Sequence, residues 1–89
     1  MAVDLLQGFS TMPIYFLHLR RGNELIEDFD GSLLPDLDAA KAEAFAAARE
    51  MLAERVKAGK LLNGETFEIT DDTGTVLATL PLRDALVLD

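Results

Sequence analysis

The sequence predicts an α+β domain of ββαββ order: a four-stranded antiparallel sheet with one long helix packed on one face. Three observations carry this. Segments 14–29 and 66–80 each alternate apolar and polar residues about a central turn signal. Between them one Ala-rich segment, starting near Asp36, repeats apolar residues at three- and four-residue spacing. At 89 residues the chain has room for a single core. A helix with one apolar stripe is the natural cover for a sheet built from two hairpins.

Residues 1–11 read as an N-terminal extension without clean periodicity, and 12–89 as the domain, with Met12-Pro13 resembling a second start. In the first hairpin Tyr15, Leu17 and Leu19 fall on one face, and Phe16, His18 and Arg20 on the other. Gly22-Asn23 suits a two-residue type II′ turn, because Gly supplies the positive φ of its first position. That register pairs Leu19 with Ile26 and Leu17 with Asp28, so Tyr15, Leu17, Leu19 and Ile26 are the expected core side. Asp36 is the expected helix N-cap, and Gly59 fits the position just past the C-terminus. Leu37, Ala44, Ala48, Met51 and Leu52 form the stripe, widened by Phe45 and Val56. In the second hairpin a two-residue Thr73-Gly74 turn places Val76, Ala78 and Leu80 on the face of Phe67 and Ile69. Pro81 ends the last strand or keeps it at an edge, and Arg83 to Leu86 suit a short helical turn.

Composition removes several functions. Eight basic against sixteen acidic residues give a net charge of −8, which repels phosphate backbones and anionic lipid, so no nucleic-acid or membrane partner is expected. The apolar runs fall short of the roughly 20 residues of a membrane helix. The N-terminus lacks the basic start of a secretory signal, and with no cysteine in the chain a cytoplasmic location is the expectation.

Candidate chemistry is sparse. His18 is the only histidine; the hairpin register puts Arg20 on its face and Glu27 opposite, a grouping that could bind a small ligand or act as a weak general base. A half-exposed strand histidine in a polar cross-strand cluster with Arg20 is the better account, since no nucleophile or pocket is implied beside it. Asp72-Thr73-Gly74 spells the aspartic-protease triplet, but its setting is that of a hairpin turn. Asp28-Phe29-Asp30-Gly31-Ser32 resembles a calcium loop without its full ligand set, and a turn with one Asp reaching the helix N-terminus accounts for it better. No metal and no cofactor is expected. Phe16 and Phe29 pair on the face away from the helix, which suggests a protein contact.

Met12-Pro13-Ile14-Tyr15-Phe16-Leu17-His18-Leu19-Arg20, Asp28 with Gly31, Leu34-Pro35-Asp36-Leu37, the Ala-rich helix, Ile69-Thr70-Asp71 with Gly74, and Leu77-Ala78-Thr79-Leu80-Pro81-Leu82 together resemble an uncharacterised family of small, mostly alphaproteobacterial proteins classed as a domain of unknown function. The likeness covers about residues 12–86, departing at Arg21 and Leu82, where the family has an acid and a Phe. It implies architecture and no reaction, cofactor or ligand. The expected function is thus non-enzymatic: a small cytoplasmic interaction or regulatory module, self-associating as a homodimer through the outer sheet face or the edge of the first hairpin. The alternative is a ligand-binding or weakly catalytic domain centred on His18, Arg20 and Glu27.

Overall fold

The computed structural model describes residues 12–60 and 64–86; the expected extension, 1–11, lies outside them. Strands β1 (Ile14–Arg21), β2 (Glu24–Ile26) and β3 (Ser32–Leu33) precede helix α1 (Leu37–Lys57), and β4 (Thr66–Thr70) and β5 (Val76–Pro81) follow it, closed by a 3₁₀ turn at Leu82–Ala85. All pairings are antiparallel in the order β2-β1-β4-β5, with β3 also on β1. The α+β class and, among the described residues, the one helix are as expected; the sheet gains β3, a fifth strand two residues long.

Both helix ends follow from local chemistry. Asp36 adopts extended backbone and its carboxylate accepts the Ala39 N–H at 2.8 Å. At the other end Gly59 takes φ +70°, its N–H donates to Val56 C=O at 3.1 Å, and Lys60 N–H donates to Arg55 C=O at 2.8 Å, a Schellman closure. The face toward the sheet is narrow and small: Ala40, Ala44, Ala48 and Leu52 are buried. Three alanines in a row of turns let the helix backbone approach the strands closely. They meet Tyr15, Leu19, Phe67 and Ile69, with Leu82 and Ala85 of the 3₁₀ turn completing the core.

The helix packs over β4, β5 and the 3₁₀ turn. Two expected core residues are therefore exposed. Ile26 pairs with Leu19 as expected, but β2 is a three-residue edge beyond the helix, and Ile26 remains 40% exposed. Val56 lies past the last core contact of α1 and is 63% exposed.

The two hairpins turn differently. Gly22 has φ +60° with no positive φ at Asn23, which is the two-residue turn expected. The second turn has three residues, not two. Gly74 N–H donates to Asp71 C=O and Asp71 N–H to Thr75 C=O, both at 3.1 Å, while Gly74 takes φ +86°. This is a tight turn followed by a glycine bulge. Asp71 holds it, its Oδ1 accepting the N–H groups of Thr73 and Thr75 and the Thr73 hydroxyl. The extra loop residue shifts the register by one, and an irregularity between Ile69 and Thr70 shifts it back. Phe67↔Leu80 and Ile69↔Ala78 thus pair as expected, but Thr70 pairs with Val76. Val76 therefore sits on the outer face with Thr70, not in the core with Ala78, and is 50% exposed.

Candidate functional site

The sheet face away from α1 carries the expected site residues. Alternation along β1 puts Ile14, Phe16, His18 and Arg20 there, and the pairings extend it in rows: Phe16–Thr70–Val76, His18–Glu68–Thr79 and Arg20–Thr66–Pro81. Leu33 extends this face beside Ile14.

His18 is fully engaged. The Asp28 N–H donates to Nδ1 at 3.0 Å, and Nε2 lies 3.3 Å from the Thr70 hydroxyl. A nitrogen that accepts carries no proton, so the arrangement suits the neutral ring with its hydrogen on Nε2, pointed at Thr70. Phe16 stacks on the ring, with centroids 6.0 Å apart and 5° between planes. Arg20 bonds Glu68 through Nε at 3.0 Å.

Glu27 does not join them. β1–β2 pairing ends at Ile26, and the exposed Glu27 is replaced beside His18 by Asp28. One Asp28 oxygen accepts the Leu17 N–H at 3.1 Å; the other accepts the N–H groups of Asp30 and Gly31, both at 3.2 Å. Asp28 ties its own loop to β1 rather than reaching the helix N-terminus. Among the described residues no group of acids and histidines could hold a metal ion. Asp72 of the Asp-Thr-Gly triplet is exposed.

The loop also covers Phe16. At Gly31, with φ +68°, an added Cβ would lie 2.8 Å from the Phe16 ring. Phe16 is therefore half-buried under backbone that only glycine allows so close, whereas Phe29 is 82% exposed. The outer face is thus divided. One end is apolar, with Leu33 (64% exposed) and Val76 (50% exposed) on either side of Phe16; the other is polar, with Arg20, Glu68, Thr66 and Thr79.

A buried ionic cluster on the helix side escaped the sequence reading. Glu65, 2% exposed, bonds Arg55 of α1 and Arg21 at the end of β1. The Arg55 hydrogen bond holds the Glu65 carboxyl below its ordinary range, against the opposing effect of burial, and Arg21 adds to it. The same bond raises Arg55. Asp71 is also lowered, first by the Thr73 hydroxyl. Between α1 and the 3₁₀ turn runs a mostly apolar groove lined by Leu52, Ala53, Val56, Ala85 and Leu86, with Arg49 and Lys57 also lining it.

No helix among the described residues is long and apolar enough to cross a membrane. No curated protein and no solved structure matches the chain. A family model does, over residues 14–83. That span runs from the first residue of β1 through the buried Leu82 and takes in both hairpins, the helix and the outer face; the chain belongs to the family described as a domain of unknown function, DUF6894.

Proposed function

We propose that this domain is a non-enzymatic interaction module of the bacterial cytoplasm, binding protein through the apolar end of its outer sheet face. The observation that carries the reading is a set of exposed large apolar side chains, Leu33 and Val76 at the apolar end of the outer face and Phe29 on the adjoining loop, around a Phe16 half-buried beneath that loop. Such exposure on a small domain marks a contact surface. The groups that chemistry would require are occupied, which weighs against the ligand-binding alternative. Both His18 nitrogens have partners, Arg20 is held by Glu68, and Glu27 stands apart. Acidic composition keeps the protein from nucleic acid and anionic membranes and leaves another protein as the fitting partner.

The test is capture by tagged native protein and by a Leu33→Glu/Val76→Glu variant from the same cytoplasm. Both side chains are exposed, so the variant should melt like the native domain while losing the partners that the native protein retains. Equal recovery by the two would refute the outer-face reading.

A further inference from the structure

We propose that β5 is the self-association edge of this domain, pairing antiparallel with β5 of a second copy about a two-fold axis at Thr79. This goes beyond the interaction reading above, because it uses the strand edge and not the outer face. The main chain supplies the argument. Leu82 N–H donates to Glu65 C=O at 2.9 Å, one step beyond the Thr66↔Pro81 pair. Bonded pairs alternate in an antiparallel ladder, so Leu80 and Ala78 turn their N–H and C=O groups toward β4, while Thr79 and Pro81 turn theirs to the outer edge, which no described strand covers. Proline offers only its carbonyl there. Thr79 offers both a donor and an acceptor, and across a two-fold axis it is its own complement.

The side chains agree. In that register Thr79 faces Thr79 of the second copy on the outer face, a favourable cross-strand pair. On the helix side each half-buried Ala78 meets the other copy's half-buried Leu80, and both apolar residues gain cover. Charge permits a second copy at this edge. Each copy carries −8, so association must avoid setting acids against acids, and Thr73 through Leu82 contains no charged residue. The other sheet edge is β2, three residues with Glu24, and the two-residue β3, too short and charged to pair. Pairing at β5 therefore closes as a dimer and cannot propagate.

Sedimentation equilibrium and amide exchange of the full chain test this, with native protein, Thr79→Lys and Thr79→Pro. Native protein should dimerise, and Thr79 N–H, solvent-facing in the monomer, should become protected as concentration rises. Lysines would face each other at about 5.5 Å, and proline would delete the outward donor while leaving the β4 ladder whole. Each should weaken dimerisation about tenfold or more. Native protein monomeric at high micromolar concentration overturns the pairing and leaves the outer-face reading standing. A dimer dissolved by Leu33→Glu/Val76→Glu but not by either Thr79 variant also overturns it, placing self-association on the outer face.

Discussion

Replacing Glu65 by Gln should remove the tie that joins the end of β1, the last turn of α1 and the start of β4. Glu65 is 2% exposed, the Arg55 side chain 17% and that of Arg21 51%. The bond to the well-covered Arg55 is of the charge-assisted kind worth about 1.5–3 kcal/mol. The half-exposed Arg21 link is screened by water and adds about 0–1 kcal/mol. Breaking a fully buried pair costs about 3–5 kcal/mol, but Arg21 can rehydrate, so the loss should be about 2–3 kcal/mol. For a domain of this size that lowers the melting temperature by about 10–20 °C. The effect should depend on pH in one direction. Because the folded carboxyl titrates below its ordinary 4.5, its stabilisation is complete above that value and is lost as pH falls through the depressed folded one. Thermal melts of native and variant protein, followed by circular dichroism from pH 7 to pH 3, would show a constant gap that narrows below about pH 4.5. A variant within about 2 °C of native at pH 7, or a gap that widens on acidification, would refute the reasoning.

Gly31→Ala should cost about 1–3 kcal/mol in chemical denaturation, since the new methyl meets a ring held at 2.8 Å on backbone of φ +68°; an unchanged midpoint would mean the loop does not rest on Phe16. Ala48→Leu should cost about 1–3 kcal/mol, because Ala48 is fully buried between helix and sheet; an unaltered melt would place the helix on another face.

How much of this was legible depended on the range of each signal. The helix ends could be read because Asp36 and Gly59 act on neighbours within three or four residues. The first hairpin could be read because Gly22-Asn23 fixes its register and alternation then sorts His18 and Arg20 from Tyr15 and Leu19. Glu65 could not: its partners lie 10 and 44 residues away, and a charged residue beside a strand reads as surface. Nor could the exchange of Glu27 for Asp28 beside His18, since pairing stops at Ile26 for want of a main-chain partner and a carboxylate takes over the Leu17 N–H. The outer-face positions of Phe16, His18 and Arg20 followed from alternation, whereas those of Leu33 and Val76 required a two-residue strand and a register irregularity that no local pattern announces.

The two opposed one-residue slips of the second hairpin separate its base from its tip. Up to Ile69 the strands keep the phase set by the core, and beyond it the β5 side chain at Val76 is handed to the opposite side. The length of the loop therefore works as a selector: a turn without the extra residue and its compensating slip would carry Val76 inward and set Leu77 opposite Thr70 in its place. Within a family sharing this scaffold, changes of one residue at that tip could rewrite what the outer face displays while the interior beneath it stays the same.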